Sequence, residues 1–330
     1  MRKAWSARAT LLYSKGNALV VEYRKLGRSD LVVSSIGLGA WQWGSGTYWG
    51  YGKRYGRDEV IRIWDKAVEG GINFIDTAEL YGRGMSERMI GEIIQKDKRP
   101  IIASKYWPFK LSSDFVFRSV RKSLDRLKVD SIDLYQVHFP NPTNSLRKLM
   151  RNLERLVKDG KVRYIGLSNF GVKGLEEARS ALSFCDVVSD QVHYSLMARK
   201  PEFDGTIEYC RKNNIGIIAW SPLEQGLLTG KYLPGVKAGG IRRFRPAFSR
   251  RSLRRLKPSL DDLEAVSLRH SKTPAQSALN WVLRWDNMVA IPGASGPKQV
   301  EDNCGAVGWR LSVEENQRLE NAFKPYIGHA

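Results

Sequence analysis

Four residues of this chain have the types and spacing of a proton-transfer set. Asp76 ends the apolar run Asn73-Phe74-Ile75-Asp76, Lys105 ends Ile101-Ile102-Ala103-Ser104-Lys105, and His138 ends Leu134-Tyr135-Gln136-Val137-His138. Tyr81 follows Asp76 by five residues. A sheet can bury such runs, but the ionisable group at the end of each is costly to bury unless it is paired. An unperturbed phenol titrates near ~10, so a tyrosine that protonates an oxygen near neutral pH needs help. An ammonium about 4 Å away, at an effective dielectric near 20, would supply roughly 4 kcal/mol or about three pK units. Asp76 would keep Lys105 charged, and His138 could donate to a substrate oxygen. Such a set suits carbonyl reduction. Taken singly, Asp76 and Lys105 could be a structural ion pair, Tyr81 a loop residue and His138 a satisfied interior histidine. Placement at three consecutive strand ends argues for a shared site.

The elements that would position these residues repeat along the chain. Strands are predicted at Ile36 to Gly39, Asn73 to Thr77, Ile101 to Lys105, Ile132 to His138, Val162 to Ser168, Val187 to Tyr194, Gly216 to Ser221 and Met288 to Pro292. Amphipathic segments of helical length alternate with them: Asp58 to Glu69, Ser86 to Ile94, Ser113 to Leu127, Ser145 to Asp159, Lys173 to Leu182, Thr206 to Asn213, Pro274 to Trp285 and Pro297 to Val307. Ser113 and Ser145 are candidate N-caps, and Pro274 and Pro297 suit a first helical turn. Gly70-Gly71, Gly160 and Asn213-Asn214 stand where left-handed caps are expected. Eight βα repeats predict an α/β fold, a (β/α)8 TIM barrel, with catalytic groups at the carboxyl ends of its strands. Tyr23 to Lys25 and Leu31 to Val33 predict a β-hairpin before the barrel, while Ser259 to His270 and Ser312 to Phe323 predict two extra helices. A doubly wound dinucleotide fold fails at its own motif, since Ala40-Trp41-Gln42 follows Gly37-Leu38-Gly39 where a third glycine is required.

At 330 residues the chain could form one large α/β barrel or two ordinary domains, and it is the series of strands and helices from Ser34 onward, undivided by any linker, that argues for one. The 330 residues are 42% hydrophobic and 27% charged, the balance of a globular chain. Residues 21–330 are expected to form the single barrel domain and residues 1–20, with Arg2, Lys3, Arg8 and Lys15, a basic disordered leader. No apolar run approaches the length of a membrane span, so no membrane partner is expected. Cys185, Cys210 and Cys304 are odd in number and lack metal or redox spacing, which favours a reducing cytoplasmic compartment and no metal. Much of the net charge of +20 is local: nine Lys or Arg and no acid lie between Lys237 and Lys257, within a long loop predicted at about 224–258. A solvated loop is the first reading of that run, contact with a cofactor phosphate the second, and nucleic acid the least favoured.

With these residues in hand, the chain from Tyr23 to Phe323 resembles the aldo-keto reductase superfamily. Phe74-Ile75-Asp76-Thr77-Ala78-Glu79-Leu80-Tyr81-Gly82 is similar to the family's signature around its aspartate and catalytic tyrosine, and Ser104-Lys105 and Gln136-Val137-His138 match its catalytic lysine and histidine. The resemblance implies nicotinamide carboxamide contacts at Ser168, Asn169 and Gln191. It implies a stacking ring at Trp220, pyrophosphate contacts at Ser221, Pro222 and Leu223, and a phosphate-side loop with Gly226, Leu228 and Lys231. It implies an adenosine phosphate region with Gly293, Ser295, Gln299, Asp302 and Asn303. Many NADPH-preferring members place Arg or Lys where Gly293 and Gln299 stand; Lys298, or Arg242, Arg243 and Arg245, could replace that charge. NADPH is the expected cofactor, with NADH left open.

Trp41, Trp107 and Phe139 match positions that line the substrate pocket of related reductases, and Tyr48, Trp49 and Tyr51 could add to it. The expected function is NAD(P)H-dependent reduction of small aldehydes or ketones, with Tyr81 as general acid. Pyridoxal or a sugar aldehyde is within the superfamily's range, which also holds potassium-channel β subunits. The alternatives are a cofactor-binding regulatory subunit with weak reductase activity and, less favoured, a basic nucleic-acid-binding protein. Whether the chain is a monomer or a homo-oligomer is left open.

Overall fold

A computed structural model describes residues 21–94, 99–232 and 240–327. The expected leader therefore lies outside the described residues, as does the start of the basic run. Strands β1 (Tyr23–Lys25) and β2 (Val32–Ser34) pair antiparallel as the predicted hairpin. Eight parallel strands follow: β3 (Leu38–Gly39), β4 (Phe74–Asp76), β5 (Ile101–Tyr106), β6 (Ile132–Val137), β7 (Val162–Ser168), β8 (Val187–His193), β9 (Gly216–Trp220) and β10 (Met288–Ile291). They pair in chain order, and parallel bridges Ile36 to Ala290 and Gly39 to Gly293 bring the last strand against the first, so the sheet is a nearly closed barrel.

Helices follow the strands around the outside: α1 (Gly46–Trp49), α2 (Arg57–Glu69), α3 (Met85–Ile93), α4 (Phe115–Leu127), α5 (Leu146–Lys158), α6 (Val172–Ser180), α7 (Lys200–Phe203), α8 (Thr206–Lys212), α9 (Arg250–Arg269), α10 (Pro274–Val282), α11 (Pro297–Cys304) and α12 (Val313–Phe323). Among the described residues no helix is long and apolar enough to cross a membrane. Ser145 caps α5 by accepting from the Lys148 amide at 3.2 Å. Ser113 does not cap α4: that helix starts at Phe115 after Asp114, whose carboxylate is drawn away to Lys148 and Asn152. The expected left-handed stops are present at Gly71, Gly160 and Asn214.

The region expected as a long basic loop is different. Short 3-10 turns occupy Glu224–Thr229, Gly240–Phe244 and Pro246–Phe248, and α9 begins at Arg250 rather than near Ser259. Ser249 caps it through the Ser252 amide, and Leu253, Leu256, Leu260, Leu263 and Val266 bury one face at helical spacing. Arg250, Arg251, Arg254 and Arg255 occupy the exposed face. Pro258 also points outward inside α9. The helix tolerates it because the buried stripe supplies more than one missing amide bond removes.

The hairpin closes the lower end of the barrel. Leu26, Leu31 and Val33 join Phe74, Ala103, Leu134, Val188, Ile218, Val289 and Ile291 in one buried interior cluster. Arg24 fastens the hairpin from outside, donating to the Leu283, Trp285 and Met288 carbonyls at 2.9, 2.6 and 2.6 Å. Gly27 lies in the left-handed region at φ +55°, and a Cβ there would stand 2.3 Å from the Val188 carbonyl oxygen. Gly27→Ala is expected to lower stability by roughly 3 kcal/mol, combining backbone strain with steric displacement. Gly52→Ala is the control, at φ +80° with no atom within 4 Å of the added carbon. It should lose only about 1–2 kcal/mol in the same denaturant titration.

Candidate active site

Side chains two residues apart on a strand share a face, which explains why apolar runs here end in ionisable residues. Phe74, Ala103 and Leu134 belong to the apolar interior of the barrel. The residues two further along β4, β5 and β6 are Asp76, Lys105 and Gln136, a polar layer laid directly on the apolar one. His138 stands two beyond Gln136, and its amide donates to the Tyr106 carbonyl at 3.0 Å. Tyr81 comes from the 3-10 turn Tyr81–Gly84 that follows β4.

Lys105 is fully buried, and its three ammonium protons have three acceptors. They go to Asp76 Oδ1, to the Thr77 carbonyl at 2.9 Å and to Tyr81 Oη at 3.2 Å. Asp76 Oδ2 accepts from Gln136 at 3.1 Å and from Gln191 at 2.8 Å. Burial pulls the Lys105 ammonium down, but Asp76 and Tyr81 together more than offset it and the net shift is upward, so the lysine stays charged. Burial raises the Tyr81 phenol against the opposing pull of Lys105, and the net direction is upward. Lys105 pulls the phenol in the expected direction, but burial outweighs it in the resting site. Burial, then repulsion from Lys105, pushes His138 down to about 3, which leaves a neutral imidazole.

Tyr81 and His138 open onto a cavity of about 440 Å³. Trp41, Trp49 and Phe139 line it. Trp107 does not; it stands edge-on behind His138 and Phe139, at ring distances of 5.7 and 5.8 Å. Its amide is held there by Glu79 Oε1 at 2.6 Å. Along one wall, Ser168 donates to the Gln191 carbonyl at 3.0 Å, and Asn169 reaches the His138 carbonyl at 3.2 Å. Trp220 Nε1 donates to Asn169 Oδ1 at 2.9 Å. Ser221, Pro222, Leu223, Gly226 and Lys231 continue this wall, but Leu228 is fully buried in the core and does not line the cavity. Gly293, Ser295, Gln299, Asp302 and Asn303 form the far end. There Gln299 accepts from the Ser295 amide at 2.7 Å, and Thr273 donates to Asp302 at 2.9 Å. Burial holds the Asp302 carboxyl above its ordinary range.

Sequence reasoning passed over several residues. Gln136, inside a motif quoted for its histidine, shares the barrel's interior face with Leu134 and holds Asp76; the two-residue period was the available signal. Gln42, Leu80, Gln225 and Thr229 also line the cavity, and nothing in their local sequence marks them. Arg242 was weighed for its charge, and it reaches the cavity by donating to the Gln225 carbonyl at 3.0 Å while its guanidinium lies 4.9 Å from the Trp49 ring. Arg243, Arg245 and Lys298 are not on the cavity wall.

The profile of the Aldo/keto reductase family matches residues 35–324. The chain belongs to that family. It is 38% identical over 295 residues to an uncharacterised oxidoreductase of Mycobacterium tuberculosis, covering 89% of this chain and 90% of the relative. It is 33% identical over 320 residues to the chloroplastic pyridoxal reductase of Arabidopsis thaliana, covering 92% and 86%. Among solved structures, an aldo-keto reductase from Klebsiella pneumoniae in complex with NADPH superposes with a TM-score of 0.73 at 25% identity, covering 94% of this chain and 97% of that one. The protein is therefore an oxidoreductase on a TIM barrel, with structural neighbours from Klebsiella pneumoniae solved in complex with NADPH and with NADP.

The depressed His138 imidazole makes a stability prediction. An unfolded histidine titrates near 6.5, whereas His138 takes up its proton only near pH 3 when folded. The unfolded chain thus binds more protons in between, and stability falls as pH drops from about 6.5 toward 3. For His138→Gln, the loss between pH 7 and pH 4.5 should be smaller than in the parent by roughly 2 kcal/mol, measured by denaturant titration at both pH values.

Proposed function

We propose that this reductase converts aldehydes or ketones to alcohols with NADPH, and that Tyr81 supplies the proton. The observation that carries the reading is a buried Asp76–Lys105–Tyr81 chain whose phenol opens onto a cavity lined by Trp220, Asn169 and Gln191. The cavity suits a nicotinamide nucleotide. Trp220 offers an aromatic wall beside the amides of Asn169 and Gln191, and Lys231 and Arg242 bring cations to the middle. Gly226 sits at φ +100°, where a Cβ would lie 3.2 Å from Lys231 Nζ, so glycine leaves that ammonium open to a phosphate.

When bound, the reduced nicotinamide supplies a hydride to the carbonyl carbon. Tyr81 Oη gives its proton to the carbonyl oxygen as negative charge develops there. Its raised resting pKa keeps that proton in place at neutral pH, and the Lys105 ammonium 3.2 Å away stabilises the phenolate that the transfer creates. Asp76 keeps Lys105 charged. His138, being neutral, orients the oxygen with a hydrogen bond without placing a second cation beside Lys105. Trp41, Trp49 and Phe139 make the substrate end of the cavity flat-walled and apolar, which favours planar aromatic aldehydes of the kind named for the Arabidopsis relative.

Tyr81→Phe is expected to lower kcat by about 10² to 10⁴ while leaving cofactor affinity nearly unchanged; steady-state turnover with an aromatic aldehyde panel measures it, and unchanged kcat would remove Tyr81 from the mechanism. For the 2′-phosphate, Arg242 is the cation on the cavity wall among the four weighed from sequence. Arg242→Gln should weaken NADPH about tenfold more than NADH, a difference of ~1.4 kcal/mol in equilibrium titrations. Equal weakening of both nucleotides would assign Arg242 to the pyrophosphate instead.

A further inference from the structure

Trp220 has two faces, and a histidine covers one of them. His193, at the end of β8, stacks on Trp220 with ring centroids 4.2 Å apart and planes 12° from parallel. His193 is absent from the cavity wall, while Trp220 is part of it. The imidazole's Nε2 lies 2.8 Å from Glu224 Oε1, an oxygen that also accepts from Ser195 Oγ at 2.6 Å. Glu224 in turn opens a strained turn. Ser221, Glu224 and Gln225 lie at φ +50°, +48° and +55°, and Gly226 follows at +100°. L-residues avoid that region, so three of them within five positions persist only where surrounding contacts hold them. The Glu224 side chain has two such contacts, one of them the ring beneath Trp220.

We propose that His193 is a positioning residue for the cofactor: it clamps Trp220 to Glu224, so that the ring facing the nicotinamide and the turn facing the phosphates form one rigid wall. This rests on the reading that a nicotinamide nucleotide lies along that wall. Histidine meets both demands at once, since it presents a flat face to an indole and a polar edge to a carboxylate. Phenylalanine would keep the stack and lose the carboxylate contact. Glutamine would keep a polar tip and lose the stack. A preformed wall lowers the ordering that binding would otherwise require, which places the effect in cofactor affinity.

The test is isothermal titration calorimetry of NADPH with the parent, His193→Ala, His193→Phe and Glu224→Gln, together with thermal unfolding of each protein without nucleotide. The expected result is a dissociation constant about tenfold higher in His193→Ala. His193→Phe should recover part of that loss, and Glu224→Gln should fall between His193→Ala and the parent. In steady state the KM for cofactor should rise while the KM for the carbonyl stays within twofold. The primary isotope effect with deuterated NADPH should grow in His193→Ala and return to the parent value in His193→Phe, where an aromatic ring again backs Trp220. Dissociation constants within twofold of the parent in both His193→Ala and Glu224→Gln would overturn the clamp. So would a lower unfolding temperature with unaltered nucleotide affinity, which marks a purely structural contact. A parent that binds no NADPH would overturn the proposed function first, and the clamp with it.

Discussion

The site depends on one ammonium held inside a barrel. Lys105 has no exposed surface, and an unpaired charge there would be driven out or neutralised. It persists because Asp76, the Thr77 carbonyl and the Tyr81 hydroxyl take its three protons, and because Gln136 and Gln191 occupy the remaining carboxylate oxygen. Five groups are therefore committed before any substrate arrives: three strand-borne side chains, Asp76, Gln136 and Gln191, and two groups from the turn after β4, the Thr77 carbonyl and the Tyr81 hydroxyl. The apolar plug formed by the hairpin is part of the same arrangement. It fills the lower interior with Leu26, Leu31 and Val33, so the polar layer above rests on close-packed hydrocarbon rather than on a water-filled channel.

That construction explains why so much of the site could be read from sequence. A barrel strand carries its interior face every second residue, so an apolar residue followed two places later by a polar or charged one records the change from plug to site. Phe74 to Asp76, Ala103 to Lys105 and Leu134 to Gln136 all do so. Helix stops at Gly71, Gly160 and Asn214 were legible for an equally local reason, since the left-handed conformation is tied to residue type. The proton balance of Tyr81 was not legible. Lys105 and Asp76 pull it in opposite directions, and the outcome is set by how completely the folded chain excludes water, a quantity no spacing encodes.

The basic stretch before Pro258 illustrates the opposite limit. Nine cations and a proline read locally as a loop, yet α9 runs through the last five of those cations from Arg250. What decides it is the leucine stripe at positions 253, 256, 260 and 263, half of which lies beyond the proline. The cations are compatible with the helix because they sit on its solvent side, where like charges are separated and screened. Trp107 and Leu228 show a milder form of the same limit: each was placed in the correct neighbourhood, but one stands behind the wall and the other beneath it.

The Gly240–Phe244 turn has a consequence for how the two ends of the cavity communicate. It packs beside α1, whose Trp49 lines the substrate end, and it carries Arg242, which lies over Trp49 and bonds the Gln225 carbonyl of the phosphate-side turn. A cation on a barrel strand would be fixed by the sheet. Arg242, on an excursion between β9 and α9, instead touches both walls, so displacement of either wall alters a contact that it makes. The neutral residues Gly293 and Gln299 at the far end make this bridge more consequential, because the strand-end loop after β10 does not duplicate the positive charge that Arg242 and Lys231 bring to the cavity wall. Charge placement and wall placement are thus the same structural variable on this side of the barrel.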